Sequence, residues 1–307
     1  MIQAEVTMNR IDFGKIVANL RQDLGLTQAQ LAERVDVKPP IVSQIERGVK
    51  RYFEPELLVA LADSLELTTF ERRQFFLAST GVDLQNMVRP NLLHNTSDTA
   101  NPEKELAKIK VVADQLLVPA FVVDPYGDFI MVNRSMMALF DVDDSQIAAL
   151  SQIPHAFNSV HLTFGKVMLA RLQMDWNWEQ YAFNTMRGFR ELSLRYRARP
   201  YFQYLFKIFS NPDEYPYFER FWKNTASVEE DKEANWDFLE YKDKKHGHVK
   251  YMAISVIFIT MFGELHLIQY QPLNENTARV FAGLAATYGT DMLRFASWPE
   301  KKFPKKS

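Results

Sequence analysis

The chain has 307 residues, of which 47% are hydrophobic and 13% aromatic, a formal net charge of −2 and no cysteine. That length and apolar content fit two folded domains with sizeable cores and exclude a disordered chain. The lack of cysteine excludes disulfides, thiolate metal sites and cysteine nucleophiles. The near-neutral charge confines any nucleic-acid binding to a local patch.

The first ten residues, MIQAEVTMNR, have no apolar core and do not read as a signal peptide. The longest apolar run, ISVIFITMF from Ile254 to Phe262, is far short of the roughly 20 residues a membrane helix needs. The expectation is a cytoplasmic protein without membrane insertion.

From Ile11 to Ser79 the helical period recurs in short segments. Ile16, Leu20 and Leu24 share one face of a first helix. Thr27 is placed to cap a second, whose Leu31 and Val35 lie four apart. A third starts in DVKPPIVSQIERGVKR (36–51). Proline is tolerated where backbone N–H groups have no helical partner, and Pro40 restrains Pro39 from helical angles. Pro39 is therefore expected at the cap and Pro40 at the first helical position. Val42 and Ile45 can seat this helix, leaving Pro40, Ser43, Gln44 and Arg47 on the outer face, and Gly48 stops it. Pro55 opens a fourth helix with Leu58, Leu61, Ala62 and Leu65 inward, and Thr69 begins a fifth. The result is an all-α five-helix domain over residues 1–80.

Residues 81–104 are rich in Asn, Thr, Ser, Asp and Pro, with little periodicity, and read as a linker. A helix is expected over 105–117. VPAFVVDPYGDFIMVNRSMMALF then reads as two strands around a turn, followed by a helix; both strands are almost wholly apolar, so both faces should be covered. A helical tract dense in aromatic residues and arginine spans about 155–225. Three strand-like runs, NWDFLEYKD, VKYMAISVIFIT and ELHLIQYQ, favour an antiparallel meander. This second domain covers 105–272, with the helical tract as an insertion. A last helix, about 275–288, and the basic tail KKFPKK complete residues 273–307.

A short helix with an exposed polar face and basic residues just beyond it suits the major groove, which admits one helix and offers base-edge hydrogen bonds. LRQDLGLTQAQLAERVDVKPPIVSQIERG resembles the Xre/lambda-repressor-like helix-turn-helix family. The resemblance implies that Gln28 lies near a DNA phosphate, that the helix at 39–47 enters the major groove, and that Arg21 pairs with Glu46 as a buttress. The DNA-contacting candidates are Gln28, Lys38, Pro40, Ser43, Gln44, Arg47, Lys50 and Arg51. Asp36 stands where the family often has a turn glycine, and aspartate tolerates the left-handed conformation better than most residues.

The second domain resembles the PAS fold, whose sheet and helices enclose a small-molecule cavity. Trp178, Arg190, Pro200, Phe218 and Trp222 in the helical tract further resemble the ligand-binding region of MmyB-like transcription regulators. That resemblance implies a fatty acid or similar apolar metabolite as ligand, with no required cofactor. The lining candidates are Phe121, Val123, Ile130, Val132, Met136, Met137, Phe140, Ile254, Val256, Phe258 and Ile268. The same residues equally suit a plain hydrophobic core. Arg190 and Arg195 are candidates for a polar anchor.

No metal site is expected. No HExxH, GxSxG or Gly-rich phosphate loop is present, and no acid, base or nucleophile stands out, so the expectation is a non-enzyme. The reading is a multidomain α and α+β protein, a ligand-responsive regulator that binds a double-stranded DNA operator as a homodimer on half-sites about one helical turn apart. Its ligand signal is expected to pass through 81–104. The alternative is a lipid-sensing interaction adaptor that no longer reads DNA.

Overall fold

The computed structural model describes residues 10–50, 52–81, 101–166, 178–225, 238–243 and 245–304. Five helices open the described residues: α1 (Arg10–Asp23), α2 (Gln28–Arg34), α3 (Pro39–Glu46), α4 (Pro55–Ser64) and α5 (Thr69–Thr80). Thr27 and Gln30 form a capping box at α2, and Thr68 and Glu71 form one at α5, each satisfying two N–H groups that a helix start leaves without partners. Phe13, Ile16, Val17, Leu20, Leu31, Val42, Ile45, Leu61 and Phe75 make one continuous core. Asp36 adopts the left-handed conformation at φ 53°, closing the turn between α2 and α3 without a glycine.

The prolines sit one position earlier than expected. Lys38 is the cap of α3, and Pro39 and Pro40 occupy its first two helical positions. Both positions lie among those whose N–H has no acceptor within the helix, so two prolines together sacrifice no hydrogen bond.

In the second part, α6 (Pro102–Ala113) begins three residues before the expected start and ends four before the expected end. Asn101 accepts a hydrogen bond from the Glu103 N–H at 2.9 Å, and Pro102 takes the first helical position, so the last residues of the expected linker are helical. Next come β1 (Ala120–Val123), β2 (Phe129–Asn133) and α7 (Arg134–Leu139). A short helix α8 (Asp144–Leu150), capped by Asp143 and Gln146, was not anticipated. Among the described residues the helical tract resolves into α9 (Ser159–Phe164), α10 (Trp178–Ser193), a 3-10 turn (Leu194–Tyr196), α11 (Pro200–Phe209) and α12 (Phe218–Asn224), with 167–177 outside them. Their aromatic faces, including Phe164, Trp178, Phe189, Phe202, Phe209, Phe218 and Trp222, bury one another.

The strands β3 (Phe238–Asp243), β4 (Gly247–Thr260) and β5 (Gly263–Pro272) form the antiparallel meander, and α13 (Glu275–Tyr288) follows. With the edge strand β6 (Met292–Arg294), the sheet order among the described residues is β3-β4-β5-β1-β2-β6. This edge strand had no sequence expectation. The sheet's inner face packs on α7 and α13 through Met136, Met137, Phe281 and Leu284, and its outer face packs on α6 through Leu106, Ile109 and Ala113.

The described part of the basic C-terminal segment folds back onto the domain. Lys301 is buried between Asp124 and Asp128, with its Nζ 2.7 Å from Asp128 Oδ2. Phe303 packs against Tyr201 at 5.2 Å between ring centroids. A lysine between Glu300 and Lys302 reads as solvated until the fold supplies two carboxylates from the β1–β2 turn.

Candidate DNA and ligand sites and the contact between them

On the DNA-binding side, Val42 and Ile45 are buried, which turns Pro40 and Arg47 outward into solvent and leaves Ser43 and Gln44 half-buried beside them. Lys38, exposed, flanks this face at its start; Lys50, half-buried, flanks it at the end beyond Gly48, whose φ of 69° ends the helix. Arg47 Nε donates to the Ser43 carbonyl at 3.2 Å, and Lys50 Nζ lies 3.6 Å from Glu54. Arg51 lies outside the described residues.

Glu46 fixes the angle of α3. Arg21 Nε and Nη2 meet its two carboxylate oxygens at 2.6 and 3.1 Å, and Arg21 Nη1 donates to the Leu26 carbonyl at 2.5 Å. This two-pronged pair is directional. Gln28 Nε2 donates to Glu46 Oε2 at 2.7 Å, so the Gln28 amide is part of the buttress.

A contact the sequence did not reveal lies beneath α3. A β-carbon on Gly14 in α1 would stand within 2.5 Å of the Glu46 carbonyl oxygen and still nearer that of Ile45. Only glycine lets α1 approach the end of α3 so closely. A glycine in the middle of an otherwise ordinary helical pattern was the available signal.

On the ligand side, the candidate lining divides by strand register. Phe121, Val123, Val132, Met136, Met137, Phe140 and Ile268 join one cluster on the inner face. Ile130 does not. A β-bulge sets Val123 opposite Phe129 while Val122 faces Met131, so Ile130 is the extra residue and turns to the outer face. Phe129 takes its place, 4.9 Å from Phe121 between ring centroids. Ile254, Val256 and Phe258 are also misassigned. Ser255 pairs with inner-face Ile268, so alternation puts these three on the opposite face, where Val256 is 44% exposed.

Both arginines proposed as anchors are ion-paired within the chain. Arg195 pairs with Glu264 at 3.1 Å. Arg190 lies at the junction with the first domain, where Glu71 Oε1 receives Arg197 Nη2 at 3.1 Å and Arg190 Nη2 at 3.3 Å. Both guanidiniums rest on the Trp222 ring, at 4.6 Å for Arg190 and 5.0 Å for Arg197. Burial, with Arg190 alongside, pulls the Arg197 pKa down to about 10, and burial holds the Asp23 carboxyl above its ordinary range. Leu194 is fully buried within the core of the first five helices. The two parts thus meet directly through 190–199; residues 82–100 of the expected linker lie outside the described residues.

A helix-turn-helix packed against an antiparallel sheet domain with helical content defines a DNA-binding transcription regulator with an attached ligand-binding domain. A family described as Helix-turn-helix matches residues 17–71, and the MmyB-like transcription regulator ligand binding domain matches residues 108–283. The latter covers more than half the chain, which belongs to the MmyB-like transcription regulators. No curated protein matches it. Among the described residues no cluster of acidic, histidine or cysteine side chains fit to hold a metal is found, and no helix is long and apolar enough to cross a membrane.

Proposed function

We propose that this regulator senses a fatty acid or similar elongated apolar molecule and binds its operator as a homodimer in the cytoplasm. The observation that carries the ligand class is the inner-face cluster, where Phe121, Val123, Val132, Met136, Met137, Phe140 and Ile268 come together. Two adjacent methionines give that wall adaptable, polarizable side chains. An acyl chain entering such surroundings gains about 0.8 kcal/mol per buried methylene.

For DNA, Ser43, Gln44 and Arg47 read base edges, Pro40 offers an apolar contact to a thymine methyl, and Lys38, Lys50 and Arg51 hold phosphates. Gln28 contributes by holding Glu46, with the N–H groups at the start of α2 left to face the backbone. Two copies are needed because one α3 covers only a few base pairs.

Native mass spectrometry followed by organic extraction of the purified full chain tests both parts together. The expected result is a dimer that releases a fatty acid. Recovery of a polar metabolite in its place overturns the ligand class, and a monomer on operator DNA overturns the dimer.

A further inference from the structure

We infer that Glu71, Arg190, Arg197 and Trp222 form the coupling element through which the ligand-binding part sets the placement of the DNA-binding part. The inference rests on the ligand-responsive reading and assigns its route. Glu71 belongs to α5 of the helix-turn-helix part and is fully buried; its second carboxylate oxygen accepts the Thr68 N–H at 3.2 Å in the capping box. The same side chain therefore starts a helix on one side and receives two arginines from the other. Asp23, 3.8 Å from Arg197, supplies the second negative charge.

Trp222 ties this cluster to the interior of the helical insertion. Its ring lies 5.0 Å from Phe206 and 5.8 Å from Phe218, inside the aromatic core, while its face carries both guanidiniums. Its backbone carbonyl also accepts from Arg190 Nη1 at 2.9 Å. A rearrangement of the aromatic core thus moves the platform on which the two arginines stand.

The chemistry suits a two-position contact. A buried ion pair adds little net stability because desolvation offsets the attraction, yet a half-broken one leaves a charge stranded. Small shifts of the platform are consequently poorly tolerated, and the contact is either made or released. An apolar interface would slide. For the ligand to act here, it must bind one of the two arrangements better than the other, and linkage then makes operator DNA act back on the same contact.

Glu71→Gln in the full chain tests the inference. Glutamine preserves the capping box and removes the charge the arginines need. Operator affinity, on a duplex selected in vitro with the wild-type chain, is measured by fluorescence anisotropy with and without palmitate. Palmitate binding is followed separately by native mass spectrometry. In the wild type palmitate should change operator affinity by about fivefold or more. In Glu71→Gln, with palmitate still bound, the ratio should fall within about twofold of unity, since the coupling free energy is lost. Retention of the wild-type ratio overturns the inference. If Glu71→Gln does not fold, Arg197→Lys, which keeps charge but loses the fork, is read in the same way. If palmitate does not bind the wild type, the fatty-acid reading fails and hydrogen exchange decides the coupling. Altered protection over 186–197 on adding operator DNA then supports it, and unchanged protection overturns it.

Discussion

Gly14 in α1 lies directly under the Ile45 carbonyl of α3, at a separation no β-carbon tolerates. This contact, with the Arg21–Glu46 pair, holds the outer face of α3 at a fixed angle to the body of the domain. Gly14→Ala pits two effects against each other. Alanine favours a helix interior by about 1 kcal/mol over glycine. Overpacking against a backbone carbonyl that has no rotamer to escape into costs about 1–3 kcal/mol. The clash should win, giving a lower Tm and weaker operator binding. An unchanged or raised Tm in thermal unfolding contradicts the packing assigned to Gly14.

Leu194 belongs by sequence to the second part but is buried in the core of the first. Leu194→Ala should destabilise the chain by about 2–5 kcal/mol, the range for a core leucine truncated without collapse. The loss should be felt in the first five helices. Hydrogen exchange resolved by segment is the measurement, and faster exchange confined to 178–225 runs against it.

Gln44→Ala and Arg47→Ala should each weaken specific operator binding by about 1–3 kcal/mol and relax discrimination at one base position. Lys38→Ala should act differently, weakening all sequences alike and reducing the salt slope by about one. Anisotropy titrations at several salt concentrations separate the two. Equal loss on specific and random DNA for Gln44→Ala removes it from base reading.

Acidification should destabilise the chain, because burial depresses both His161 and His266 to a pKa of about 4. His155 adds to the shift at His161, and Arg73 adds to it at His266. The folded state holds these imidazoles neutral while the unfolded chain protonates them near 6.5, so stability is lost as pH falls from about 6.5 towards 4. Asp124 works in the other direction, as burial pushes it up to about 6 against the pull of Lys301. Its contribution is lost as pH rises from its unfolded value through about 6. Burial also lowers His155 and raises Asp23, so three histidines stand against two carboxyls and leave a net loss on acidification. Urea midpoints at pH 7 and pH 5 measure it, and His266→Leu should flatten the dependence by about one proton.

Much of the first part was legible locally. Thr27, Pro55, Thr69 and Gly48 mark helix ends through backbone groups that lack partners, and those requirements depend only on near neighbours. The Pro39-Pro40 start lies one position earlier than pre-proline sterics suggest, because both positions tolerate a missing N–H. In the second part β1 to β5 and α13 followed from period and turn residues, whereas the three-residue edge strand β6 carried no such signal. The lining was less legible, since one bulge at Ile130 and the phase of β4 reverse the face of four residues without changing their composition.

The sequence by itself determined the five N-terminal helices, the strands β1 to β5, the outward face of α3 and the pairing of a DNA-binding part with a ligand-binding one. Capping, periodicity and apolar alternation are short-range, so they are written where they act. Only the tertiary structure decided that Arg190 and Arg197 meet Glu71, that Leu194 completes a distant core and that Lys301 is buried. A charge is solvated or buried according to what the fold brings opposite it, and for Arg197 that partner lies 126 residues away.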